Sequence, residues 1–264
     1  MRTPPSLHDP DGLREVVGLL VAGARELLGA DYVGAYLQGS LATGDFDDAS
    51  DVDFLIVVER EPPRDVVGRL QELHRALYAH PSYWGRHLEG SYVPRAALAA
   101  LPPPRRELLY LDHGSTTFER SGHDRDLAVL WVLRERGVVL DGPDSKGLVP
   151  RVPTEALVSA VRATMTAWAA QIFRDPAVMA TRWYQAFTVL SYCRMAETLG
   201  TGEVRSKRRG AAWARAAMDP RWRGLIDDAV CERLRPPAEL HVPADAGLLA
   251  ETRAFIRYVL EAHA

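Results

Sequence analysis

Gly39-Ser40, followed after ten residues by Asp51-Val52-Asp53-Phe54-Leu55-Ile56-Val57-Val58, is the stretch that decides the fold. Val52 to Val58 is a nearly unbroken apolar run rich in β-branched residues, the pattern of a strand in a covered sheet. A carboxylate entering such a strand is costly without a partner. Strand side chains alternate, so Asp51 and Asp53 project to one side and can converge on one divalent cation, or two. Magnesium prefers such oxygen ligands. The short aromatic and apolar run Tyr32 to Leu37 is the preceding strand, and it ends at Gly39-Ser40. There the glycine permits close backbone approach to a phosphate, and the serine hydroxyl can donate to its oxygens. A Gly-Ser turn or an Asp-x-Asp pair alone arises by chance. The order helix, strand, Gly-Ser, polar loop, paired acids, apolar strand is what points to catalysis.

Working outward, Leu13, Val16, Val17, Leu20, Ala24, Leu27 and Leu28 repeat at helical spacing, with Gly29 placed as a C-terminal cap. Val66, Val67, Leu70, Leu73 and Leu77 predict a second helix, and His87 to Val93 a third strand. Leu127 to Arg136 reads as a helix ended by Gly137, with a short strand at Val138 to Leu140. Pro143 to Pro153 carries three prolines, and beyond it the pattern is helical throughout. The expected division is therefore residues 1–147 and residues 148–264. The expected class is α+β: a mixed sheet with flanking helices, then an α-helical bundle of about five helices.

Thirty-two basic and thirty-five acidic side chains give a formal charge of −3, so no overall positive field exists to hold nucleic acid or an anionic membrane. The two cysteines, Cys193 and Cys231, fall in helical stretches and are expected as buried reduced thiols. Met1 to Asp11 is polar and proline-rich, without the apolar core of a signal peptide, and no later run is long enough to span a bilayer. A cytoplasmic protein is expected, with a monomer slightly favoured. The eight histidines show no pair at the spacing of a zinc-binding helix, which points away from a transition-metal site.

With these residues in place, the sequence resembles the nucleotidyltransferase superfamily, whose signature is Gly-Ser followed by Asp-x-Asp on adjacent strands of a small polymerase-β-like sheet. More narrowly it resembles the aminoglycoside adenylyltransferases that modify streptomycin and spectinomycin. Those enzymes also append a helical domain, and Leu199-Gly-Thr-Gly-Glu-Val-Arg-Ser-Lys207 through Ala212-Trp213-Ala214 matches theirs. The resemblance implies ATP as co-substrate, Mg2+ held by Asp51 and Asp53, and antibiotic resistance as a role. It also implies that Glu89, in His87-Leu-Glu-Gly-Ser-Tyr-Val93, is the general base and third metal carboxylate. Gly39 and Ser40 would cradle the triphosphate, and Arg194 and Lys207 of the helical half match its positive contacts. Their charge suits phosphate, and Ser206 can cap the helix that Lys207 begins.

The implied reaction is in-line attack of an acceptor hydroxyl on the α-phosphorus of ATP, in a cleft between the domains. The partners are ATP and a small hydroxylated acceptor, with no nucleic acid and no membrane. Resistance enzymes of this kind meet polycationic drugs with acidic side chains and a tryptophan. Ala180-Thr-Arg-Trp-Tyr-Gln185 is basic and aromatic instead. An aminoglycoside and another hydroxylated metabolite therefore both stand as acceptors, as does a protein hydroxyl, and a catalytically silent nucleotide-binding regulator is the other class. Trp168, Trp183, Tyr184 and Trp213 have the spacing of core packing rather than of a drug pocket.

Overall fold

The computed structural model describes residues 9–46, 50–101, 107–235 and 242–263. Most of the polar N-terminal stretch, residues 1–8, lies outside them. The chain forms two compact units, Met1–Val152 and Pro153–Ala264. Among the described residues no helix is long and apolar enough to cross a membrane.

The first unit is built on a six-stranded mixed sheet in the order β5-β4-β3-β2-β1-β6. Its strands are β1 (Tyr32–Leu37), β2 (Val52–Val58), β3 (Leu88–Pro94), β4 (Leu108–Leu111), β5 (Phe118–Ser121) and β6 (Val138–Asp141). Only β2 and β3 run parallel; the other neighbours are antiparallel. The helices of this unit are α1 (Pro10–Leu28), α2 (Gly39–Thr43), α3 (Arg64–Tyr78), α4 (Arg95–Leu98), α5 (Leu127–Arg136) and α6 (Ser145–Leu148). Helix α1 starts where the Asp9 carboxylate accepts from the Gly12 amide at 2.8 Å, and it stops at Gly29, whose φ of 55° ends the helical path. The predicted cap is therefore in place.

Alternation divides the sheet into two faces. Val52, Phe54, Ile56 and Val58 of β2, with Leu88 and Tyr92 of β3, join Leu13, Val16 and Leu20 of α1 and Leu70 of α3 in one apolar core. The odd-numbered positions, Asp53 and Glu89 among them, therefore face away from that core. Strands β4 and β5 and the short helix α2 are not legible from the sequence alone, which reads the latter as loop.

In the second unit α8 (Arg182–Thr201) lies among α7 (Thr154–Arg174), α9 (Lys207–Ala217), α10 (Arg223–Arg233) and α11 (Ala246–Ala262). Five α-helices among the described residues agree with the count of apolar stripes. Helix α8 is buried at nearly every position from Gln185 to Thr198, so it is the centre of the bundle. The Tyr192 hydroxyl donates to the Met165 carbonyl at 2.9 Å and ties α8 to α7. Gly210 lets α9 approach α8 closely, because a Cβ there would come within 2.6 Å of the Arg194 Cα. Cys193 is buried and free as expected, whereas Cys231 is exposed. Its helix buries Leu225, Ile226, Ala229 and Glu232, which leaves Cys231 off the buried stripe.

The core of the first unit holds an unusual polar group. His74 on α3 is buried, stacked on Phe54 with ring centroids 5.4 Å apart, and 3.0 Å from the Tyr92 hydroxyl. Burial pushes its imidazole down to about 3, so it stays neutral while the unfolded chain protonates near the ordinary value of 6.5. Between these limits the unfolded state binds more protons, and stability must fall as pH falls through the window. Thermal or urea unfolding should therefore show about 1.4 kcal/mol of stability lost per pH unit below 6.5 from this residue, a slope that His74→Phe removes. Equal pH slopes in the two proteins would refute the assignment.

Candidate active site

All the acidic candidates of the first unit stand at one end of the sheet. Because β1 and β2 are antiparallel, Gly39 after the end of β1 lies beside Asp51 and Asp53 at the start of β2; the Gln38 amide donates to the Asp53 carbonyl at 2.9 Å. The parallel register of β2 and β3 sets Asp53 directly opposite Glu89. These acids stand at the ends of interior strands, not on a lateral edge of the sheet as Asp-x-Asp at a loop would allow. Glu89 is no exposed edge residue either: its side chain is 14% exposed.

Gly39 is pressed against the acidic pair. Its φ is +58°, and an added Cβ would lie 1.9 Å from Asp53 Oδ2. Ser40 follows in the first turn of α2, and its hydroxyl oxygen is buried with no hydrogen-bond partner among the described residues. A buried hydroxyl without a partner beside a glycine-permitted backbone fits a phosphate oxygen. Asp53 and Glu89 are register partners on one face of the sheet, with Asp51 two residues before Asp53; oxygen donors of this kind are the type a hard divalent cation takes.

Around these acids lies a shell of partners that local sequence does not announce. The Tyr110 hydroxyl, on β4, donates to Glu89 Oε1 at 2.6 Å, and His123 Nε2 is 3.3 Å from the same oxygen. Burial raises the Glu89 carboxyl above the ordinary carboxylate range, against the pull of Tyr110 and His123. Asp124 is buried; Gln38 Nε2 donates to its Oδ1 at 2.8 Å and Ser91 Oγ to its Oδ2 at 2.7 Å. Asp124 therefore links the residue before Gly39 to a residue two beyond Glu89. Desolvation raises its pKa.

Asp51 has partners of another kind. His113 Nδ1 donates to Asp51 Oδ1 at 2.6 Å, which raises the His113 pKa, and His87 Nδ1 lies 4.0 Å from the same oxygen. Burial, then the neighbouring His113, pushes His87 down to about 4, so it is a neutral ring at pH 7. Donor atoms of Asp51, His87 and His113 lie within 4.8 Å of one another, a grouping able to hold a metal ion. Helical spacing of histidines could not reveal it, because the two rings come from separate loops.

In the helical unit, Arg194 is half-buried on α8 against Gly210 of α9, and Lys207 opens α9 one turn before that contact. The Ser206 hydroxyl accepts from the Arg209 amide at 3.2 Å, so the expected cap is present. The Lys207 ammonium sits 4.2 Å from the ring centroid of Phe187. Phe187 in turn stacks on Trp183 and meets Trp168 edge-on. Trp168, Trp183, Tyr184 and Trp213 are half-buried rather than core, and the first three form with Phe187 a partly open aromatic surface beside Lys207. Phe187 lies outside the apolar stripe Met179, Trp183, Ala186 and Leu190, so helical spacing does not mark it.

Comparison with known proteins accounts for both units. Residues 23–97 match the nucleotidyltransferase domain family, and residues 147–261 match the family described as aminoglycoside adenylyltransferase, C-terminal domain. The chain is 30% identical over 201 residues to a spectinomycin 9-adenylyltransferase of Staphylococcus aureus, covering 72% of this chain and 73% of that protein. It is 23% identical over 223 residues to a spectinomycin 9-adenylyltransferase of Campylobacter jejuni, covering 81% and 82%. A crystal structure of spectinomycin adenyltransferase AAD(9) from Enterococcus faecialis with ATP and spectinomycin superposes with a TM-score of 0.69 at 17% identity, covering 94% of this chain and 99% of that one, which shows a shared fold. From its two matched domains and the coverage of these relatives, the chain belongs to the aminoglycoside adenylyltransferase family of nucleotidyltransferases and is an adenylyltransferase.

Proposed function

We propose that this enzyme transfers AMP from ATP to a hydroxyl of an aminoglycoside of the spectinomycin or streptomycin type. The observation that carries the reading is the register pair Asp53 and Glu89 beside Asp51, with Gly39 and Ser40 against it. The choice of acceptor is supported by the names of the curated relatives, which are spectinomycin 9-adenylyltransferases. The nucleotidyltransferase domain is taken as residues 1–147 and the helical domain as 148–264.

In this reading Asp51, Asp53 and Glu89 would hold magnesium, which supplies charge neutralisation at the phosphates and acidifies the acceptor hydroxyl. The chain's own groups do the rest. Gly39 brings its backbone close to the triphosphate, and the Ser40 hydroxyl donates to a phosphate oxygen. Glu89, with Oε1 held by Tyr110, would take the proton of the attacking hydroxyl. Lys207 and Arg194 offset charge as pyrophosphate departs. The aromatic surface of Trp183, Tyr184 and Phe187 suits a cationic sugar through its ring faces, in place of the acidic side chains expected of such enzymes.

Four outcomes test this. Magnesium-dependent pyrophosphate release, read over spectinomycin, streptomycin and other polyols with product mass, should show one adenylyl group gained on an aminoglycoside. Asp53→Asn should reduce it to background with an unchanged melting curve; near-normal turnover in that variant would remove the assigned role. Gly39→Ala should cost roughly 10²-fold in kcat, since its Cβ displaces the Asp53 carboxylate, and an unaffected rate would show that this contact does not position the reaction. Lys207→Ala should raise the KM for ATP about tenfold, the loss of one charge-assisted hydrogen bond, with a smaller effect on the acceptor KM. The opposite split would move Lys207 from the nucleotide to the drug.

A further inference from the structure

We propose that Asp51, His87 and His113 form a second metal site, selective for a transition-metal dication such as zinc or cobalt, adjoining the oxygen-lined position proposed for magnesium. The three residues come from the entry to β2, the entry to β3 and the turn between β4 and β5, and the sheet brings them to one place. His113 Nδ1 already touches Asp51 Oδ1 at 2.6 Å, and His87 Nδ1 faces the same carboxylate at 4.0 Å. Their donor atoms span 4.8 Å at most. A tetrahedral ion bonded at about 2.0–2.2 Å holds its ligand atoms roughly 3.5 Å apart, so the His113–Asp51 pair must open by about 1 Å, exchanging its hydrogen bond for the ion, while the widest pair closes by about 1 Å.

Ligand chemistry gives the selectivity. Two imidazoles and one carboxylate suit zinc, cobalt or nickel, whereas magnesium favours oxygen alone. The His87 ring is held in place by stacking on Tyr83, with centroids 3.8 Å apart and planes 21° apart, and by an edge contact to Trp84. His113 lies on a more open turn, its side chain 41% exposed, which leaves an approach for the ion and a fourth position for water or substrate. Asp51 is common to this site and to the magnesium position, so occupancy by zinc must compete with the magnesium-dependent reaction. That consequence, unlike the binding itself, rests on the reading of the active site given above.

The test is cobalt binding to the full, nucleotide-free chain, followed by its visible ligand-field absorption. One equivalent of Co2+ should produce intense tetrahedral bands that millimolar Mg2+ does not erase and that zinc bleaches by displacement. His113→Ala and His87→Gln should each weaken binding at least tenfold, with melting curves confirming that both variants fold, while Glu89→Gln should retain the bands. Absent bands, bands that survive both histidine variants, or bands lost only in Glu89→Gln would overturn the site. Because the absorption needs no turnover, failure here leaves the proposed adenylyl transfer intact, and failure of transfer leaves the metal measurement interpretable.

Discussion

The parallel pairing of β2 with β3 is the constraint on which the rest of the first unit depends. In a parallel ladder of fixed register, residues directly opposite share a face, so Asp53 and Glu89 meet only while Val52 stays opposite Leu88 and Ile56 opposite Tyr92. A slip by one residue would turn Glu89 into the apolar core under α1 and α3 and bring Leu88 to the acids. Leu88 and Tyr92 are 3% and 1% exposed, and their burial is what makes the slip costly. Helix α3 makes the crossover that a parallel pair requires and closes the same core through Leu70 and Leu77. The facing of Asp53 and Glu89 is thus a by-product of hydrophobic register.

Local pattern explains which parts of this were legible. The first three strands, the long helices and the Gly29 and Ser206 caps carry signals within a few residues of themselves, and so do Gly39-Ser40 and the acidic pair. Strands β4 and β5 have four residues each; one is buried on both faces and so lacks alternation, and the other is largely exposed and reads as loop. Helix α2 spans five residues, too few for a periodicity. Tyr110, His113, His123 and Asp124 escaped because they lie on or next to these short elements. Nothing in the neighbours of Asp124 announces a buried carboxylate; it becomes one through Gln38 and Ser91, distant in sequence.

In the helical unit the stripes announce the helices but not which of them is central. An amphipathic stripe marks a helix with one wet face, but α8 is buried on nearly all sides, and polar residues such as Gln185, Ser191 and Glu197 sit inside with its apolar ones. Stripe counting still finds five helices, since α7, α9, α10 and α11 surround it. It does not find which aromatics are open. Trp183 and Phe187 lie near the N-terminal end of α8, where burial is incomplete, and Lys207 completes a surface that no stripe predicts.

Asp51, Asp53, Glu89 and Asp124 gather near one end of the sheet, and their mutual repulsion would splay the strands unless something opposed it. The chain supplies the donors itself: His113 to Asp51, Tyr110 to Glu89, Ser91 and Gln38 to Asp124. These donors sort the carboxylates into two uses. Asp124, 3% exposed with a neutral donor on each oxygen, has its near oxygens spent on the protein and acts as a strut between β1 and β3. Asp51, with a side chain 38% exposed, engages the chain through one oxygen and leaves the other to what arrives from solvent. Asp124 and Asp51, of one chemical type, thus become structural or open to solvent according to burial and donor count.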